Sequence, residues 1–107
     1  MIFFDEQLKK GNFQICHCKK CKHNIWPPEQ TCHKCNQKTE WKVSMNVGKI
    51  IEFSRKDSTY FGMIELNEKI RNMGEIVSNN EPKIGQNVTM KVFFDRRPHY
   101  SFTVENN

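Results

Sequence analysis

Nowhere in this 107-residue chain do about 18 apolar residues run together, so no membrane-crossing helix is expected. The opening segment, MIFFDEQLKKG, carries Asp5 and Glu6 and has no small-residue cleavage site, unlike a secretory signal peptide. The expected compartment is the cytoplasm, where paired cysteines are more often metal ligands than disulfides. Catalytic signatures are missing as well. There is no nucleophile elbow, no phosphate-cradling glycine loop and no HExxH, and the Ser and Asp residues stand in no readable triad order. Internal repeats and low-complexity tracts are also lacking. The length fits one ordinary domain or two very small ones, and any unit much below about 40 residues needs a staple.

What the chain does have is cysteine. Residues 18 to 35 read CKKCKHNIWPPEQTCHKC, two Cys-x-x-Cys pairs separated by ten residues. Each pair forms a tight turn with both sulfurs on one side. Two such knuckles supply four thiolates, which suits the closed tetrahedral site of a structural Zn²⁺. Cys18, Cys21, Cys32 and Cys35 are therefore the expected metal ligands. Lysines at 19, 20, 22 and 34 offset the charge of the cluster and favour thiolate formation. A thioredoxin-like redox pair would call for a βαβ context, which the pattern does not offer. Cys16 reads as a small side chain on the strand entering the first knuckle, in preference to a ligand swap, and His17, His23 and His33, each able in principle to replace a thiolate, as solvated or supporting groups. Four thiolates leave no open coordination position, so the metal is expected to fold a segment too small to fold alone.

The formal net charge is +5 with pI ≈ 9.0. Four thiolates and one Zn²⁺ together contribute −2, leaving about +3. With acids scattered through every segment, this predicts only weak attraction to phosphates.

The rest of the chain is mostly short runs rich in β-branched and aromatic residues. Residues 3–10 form the exception, a short helix with acids first, lysines last and Gly11 at its C-terminal cap. Eight residues cannot hold a helix alone, so Phe4 and Leu8 must dock on this chain or on a partner. Residues 12–41 read as the zinc module, with Pro27 and Pro28 forcing an extended connector and Trp26 and Trp41 packing around the metal loop. From residue 42 onward five strands are expected: 47–54, 58–66, 69–77, 88–94 and 100–104. Gly74 is expected to mark a bulge or bend and Arg97-Pro98 a turn. In 88–94, Val88, Met90, Val92 and Phe94 share one face and Thr89, Lys91 and Phe93 the other. Five strands in about 60 residues fit an OB-type barrel, although an SH3-like barrel would leave the same pattern. The expected organisation is a helix at 1–11, a zinc ribbon at 12–41 and a barrel at 42–107, a mainly β fold.

The order FF-helix-KKG, CKKC, PPEQTCHKC, TEW, YFGMIELNE and KIGQNVTMKVFF resembles a zinc-ribbon plus OB-fold family, formerly labelled a domain of unknown function, whose genes accompany thiolases. The resemblance spans nearly the whole chain. It implies a rubredoxin-like zinc ribbon with Cys18, Cys21, Cys32 and Cys35 at the zinc positions, followed by a five-stranded OB barrel. It also implies a non-catalytic scaffold of a thiolase-superfamily enzyme, in some relatives bridging acetoacetyl-CoA thiolase and 3-hydroxy-3-methylglutaryl-CoA synthase, with acyl-CoA as a possible ligand of the barrel. Glu29 departs from the family pattern, which has an arginine after the double proline. Arg55, Lys56, Arg71, Arg96 and Arg97 are the candidates for the phosphates of CoA, against the plainer reading of solvated surface charge. The alternative function is nucleic-acid binding, for which Tyr60, Phe61 and Arg71 are the hint. A free-standing enzyme is the least favoured reading, since no acid–base pair can be named.

Overall fold

The protein, a computed structural model describing residues 2–105, opens with helix α1 (Ile2–Lys9). Its C-terminus is a Schellman cap. The Asn12 N–H donates to the Gln7 carbonyl at 2.8 Å and the Gly11 N–H to the Leu8 carbonyl at 2.9 Å, with Gly11 at φ 82°. Among the described residues no helix is long and apolar enough to cross a membrane.

Three short strands follow. β1 (Gln14–Cys18) runs between β2 (His23–Ile25) and β3 (Glu40–Val43), antiparallel to both. β2 lies between the first knuckle and the double proline, where the sequence predicts only an extended connector. It forms because Cys16, His17 and Cys18 pair with Ile25, Asn24 and His23 before the prolines end the ladder.

Five strands then close a barrel: β4 (Val47–Lys56), β5 (Thr59–Leu66), β6 (Arg71–Val77), β7 (Asn87–Asp95) and β8 (Arg97–Val104). The order around it is β4-β5-β6-β8-β7, with β7 returning to β4 and β6 parallel to β8. That Greek-key order with one parallel closure is the OB topology, which strand count alone could not separate from other small barrels. Alternation holds along β7: Val88, Met90 and Val92 are buried and Phe94 half-buried, while Lys91 and Phe93 face out.

Two local expectations are corrected. Gly74 does not mark a bulge. It pairs in regular register with Gly62, and it is small because the β8 backbone crosses there: a methyl group would collide with the Tyr100 carbonyl and lie 3.0 Å from the Phe102 ring. The register shift lies in β4 instead, between Ile50 and Glu52. The turn between β7 and β8 centres on Arg96, at φ 64°, and not on Arg97-Pro98. Pro98 is tolerated inside β8 because β6 pairs only with Ser101–Thr103, so the missing N–H faces no ladder there.

One hydrophobic cluster runs through helix, ribbon and barrel. Phe4, Leu8, Phe13 and Ile15 share it with Ile50, Ile64, Val88 and Phe102. An aromatic knot stitches the three parts together, with Trp26 4.7 Å from Phe13, Phe13 5.6 Å from Tyr100 and Phe4 5.6 Å from Trp26. Phe3 packs on Trp41 at 4.9 Å. The two tryptophans thus pack at the junction with the helix and barrel, which is where their large surfaces are covered. Burial, helped by the nearby Asp5 carboxylate, pushes the Tyr100 phenol well above its usual range.

Candidate metal centre and the barrel face

The two knuckles are built alike. After Cys21 and after Cys35 the chain turns through a left-handed residue, Lys22 at φ 57° and Asn36 at φ 59°. Each then donates its N–H back to the carbonyl of the first cysteine, Lys22 to Cys18 at 2.7 Å and Asn36 to Cys32 at 2.8 Å. The Cys21 N–H also points at the Cys18 sulfur, 3.4 Å away. Asn tolerates this conformation, whereas Lys is held in it by the turn, at about 1 kcal/mol.

The knuckles bring the four sulfurs of Cys18, Cys21, Cys32 and Cys35 within 4.8 Å of one another. Cys18 and Cys35 are 3.5 Å apart and Cys21 and Cys32 3.9 Å. A tetrahedron with metal–sulfur bonds of about 2.3 Å has edges of about 3.8 Å, whereas a disulfide needs about 2.0 Å. The cysteines are all free thiols, and the spacing fits a coordinated ion. Cys18 and Cys32 are buried, and the other two half-buried.

Packing four thiols together makes their ionisation unequal. The Cys35 side chain, then burial, pushes the Cys21 thiol up to about 12. At Cys32 burial works the other way from the net result: N–H groups of Cys35 and Lys34 and neighbouring thiols pull it down to about 7. A cluster of this kind carries one thiolate readily and resists more until a cation neutralises them.

Cys16 lies outside the cluster. It is buried beside Thr39, and burial raises its thiol. None of the nearby histidines joins the four sulfurs. The His17 Nδ1 meets the Asn24 Oδ1 at 2.8 Å, and the Asn24 amide donates to the Glu68 carbonyl at 2.8 Å, tying ribbon to barrel. His33 pairs with Glu29. His23 has a buried Nδ1 without a partner.

The five basic candidates do not converge. Arg55 and Lys56 sit on the β4–β5 hairpin, where Arg55 donates to the Asp57 carbonyl at 2.7 Å and lies 5.9 Å from the Tyr60 ring centre. Arg71 lies 3.8 Å from Glu65. Arg96 makes the β7–β8 turn, and Arg97 lines a cavity of about 350 Å³ on the barrel wall.

That cavity is the feature sequence reasoning missed. It is lined by Phe61 from β5, Met73 from β6, Phe93 from β7 and His99 and Tyr100 from β8. A smaller one of about 130 Å³ continues it past Phe61 and Met73. Phe93 and His99 stack in parallel at 4.7 Å, with 7° between their planes. Phe61, Met73 and Phe93 are 44%, 62% and 50% exposed, so this wall presents apolar side chains to solvent. Alternation places Phe93 on the face opposite Val88, Met90 and Val92, but only barrel closure brings it to the same cavity as Phe61.

No protein-family model matches this chain, and no curated protein sequence does. Solved structures do. The structure described as the Ltp2-ChsH2(DUF35) aldolase superposes with a TM-score of 0.79 at 18% identity, covering 96% of this chain and 92% of that one. A DUF35-family protein of unknown function from Sulfolobus solfataricus gives a TM-score of 0.73 at 16% identity, covering 97% of this chain and 84% of that one. The family resemblance carried by the cysteine and strand motifs and the structural likeness point the same way: this chain has the zinc-ribbon and OB-barrel fold of the DUF35 proteins.

Proposed function

We propose that this chain is a non-catalytic accessory subunit of a thiolase-superfamily or related acyl-CoA enzyme. The observation that carries the reading is the exposed Phe61–Met73–Phe93 wall of the barrel, which presents apolar side chains to solvent; Glu75, His99 and Ser101 line the same cavity, but no side-chain hydrogen bond joins them among the described residues. Support comes from the neighbouring structure whose description joins a DUF35 chain to an aldolase. Cys18, Cys21, Cys32 and Cys35 hold one Zn²⁺, whose role is to stiffen the ribbon and leave its shape preformed for docking. The apolar wall offers a path for the acyl chain of an acyl-CoA, with Arg97 at its rim available to a phosphate. The working compartment is the cytoplasm.

A second reading has one observation in its favour. Phe61 and the Phe93–His99 stack next to Arg97 are the ingredients of a base-stacking platform on an OB barrel. Against it, Glu52, Glu75, Asp57 and Asp95 share the same wall and loops and cancel much of the positive field.

Gel filtration with a purified thiolase-superfamily enzyme from the same organism tests the first reading. Co-elution as a stoichiometric complex, and no thiolase or synthase turnover by the chain alone, is the expected result. Separate elution together with tight, steeply salt-dependent binding of single-stranded RNA overturns it in favour of the second.

A further inference from the structure

Resting on the accessory-subunit reading, we infer that a second surface, the groove where the ribbon meets the barrel, receives an acidic segment of the partner enzyme anchored by apolar side chains. The groove has a volume of about 420 Å³ and lies between β3 with its following linker and the β5–β6 loop. Its apolar part is Val43, 60% exposed, and Met45, 74% exposed and the most exposed of the chain's large apolar side chains among the described residues. Lys22, Lys42 and Lys69 ring them, all exposed, and none forms an ion pair among the described residues.

The one acid in the groove forms no ion pair with these lysines and leaves the lining with a net positive charge, three lysines against one carboxylate. The Glu68 carboxylate accepts from the Ser44 hydroxyl at 2.9 Å and from the Met45 N–H at 3.0 Å. Those two bonds, with the Asn24 amide on the Glu68 carbonyl, hold the linker, the ribbon and the β5–β6 loop in one arrangement. The groove thus combines a hydrogen-bonded backbone frame, two exposed apolar side chains and three exposed lysines. Residues 12–45 carry six lysines against two glutamates, so most of the chain's excess positive charge lies in the ribbon and its linker. Carboxylates opposite the lysines and a Leu, Ile or Phe opposite Met45 make the complementary surface. A rim of this kind sets orientation and association rate, and the apolar centre supplies the affinity.

The probes are two twelve-residue peptides, one alternating Leu and Glu and the other alternating Leu and Lys. Each is titrated into the metal-loaded ¹⁵N-labelled chain. The Leu/Glu peptide is expected to shift the amides of Lys42, Val43, Met45, Asn67 and Lys69, while the Leu/Lys peptide leaves them unmoved. The double variant K42E/K69E, with unchanged metal content and circular dichroism, is expected to weaken Leu/Glu binding about tenfold or more, and added salt is expected to narrow the difference. Shifts centred on Phe61, Met73 and Phe93, equal response to both peptides, or undiminished binding by K42E/K69E overturns the inference. The same variant is then run with the thiolase-superfamily enzyme used for gel filtration. If it still co-elutes as tightly as the parent chain, the groove is not the docking site although the accessory-subunit reading stands.

Discussion

Leu8→Ala is the most informative single change, because it separates a helix that belongs to the core from one held out for a partner. The Leu8 side chain is fully buried, and Phe4 one turn earlier is 7% exposed. Truncating a fully buried leucine costs about 2–5 kcal/mol, from lost transfer energy and the cavity left behind. A value near 3 kcal/mol is a large part of the roughly 5–15 kcal/mol that holds a domain of this size together, and lowers Tm by about 12 °C. Phe3→Ala is the matched control. Phe3 is 40% exposed and leans on Trp41, so about 1 kcal/mol or less is expected. Thermal and urea unfolding of the metal-loaded variants, followed by far-ultraviolet circular dichroism, measures both. If Leu8→Ala and Phe3→Ala shift the midpoint by the same small amount, the helix does not contribute to the core as argued. The same logic predicts that deleting residues 1–10 unfolds the barrel. The sequence alone leaves open whether Phe4 and Leu8 dock on this chain or on a partner. The fold spends Phe4 and Leu8 internally and leaves Phe3 alone at the surface.

The remaining predictions concern the cluster and the barrel. Cys32→Ser is expected to lose the bound metal, while Cys16→Ala keeps one equivalent, read by elemental analysis. Loss of metal on the Cys16 change would reassign the ligands, and retention on the Cys32 change would remove Cys32 from them. Acidification releases the ion, because protons compete for the same four sulfurs; retention that does not fall with pH, followed with a chromogenic chelator, would argue against thiolate ligation. Gly74→Ala is expected to cost about 1–3 kcal/mol by forcing β6 away from the Tyr100 carbonyl, seen as a lower urea midpoint. A midpoint equal to that of the parent chain would show that the two strands are free to separate there.

Short-range chemistry was legible in the residues themselves. The Cys-x-x-Cys spacing determined two knuckles, since a turn that short leaves its two thiols little choice of side. The outcome is four sulfurs within 4.8 Å. Gly11 ended the helix where a residue with positive φ was needed, and alternation along 88–94 sorted inside from outside. Each of these depends on neighbours a few positions away, so sequence suffices. The parallel β6–β8 pairing that makes the barrel an OB fold did not follow from the strands, because it joins segments about 26 residues apart whose own patterns would suit another order. Gly74 was misread for the same reason. What it accommodates is the backbone of β8, invisible from its own flanks. The two surfaces proposed for binding are also tertiary. Phe61, Met73, Phe93 and His99 come from four strands and meet only when the barrel closes. Lys22, Lys42 and Lys69 are scattered along the chain and gather only because Glu68 ties the linker to the β5–β6 loop and Asn24 ties the ribbon to it. Side-chain type is fixed locally, but which side chains share a surface is set by long-range pairing, and that is a property of the folded chain.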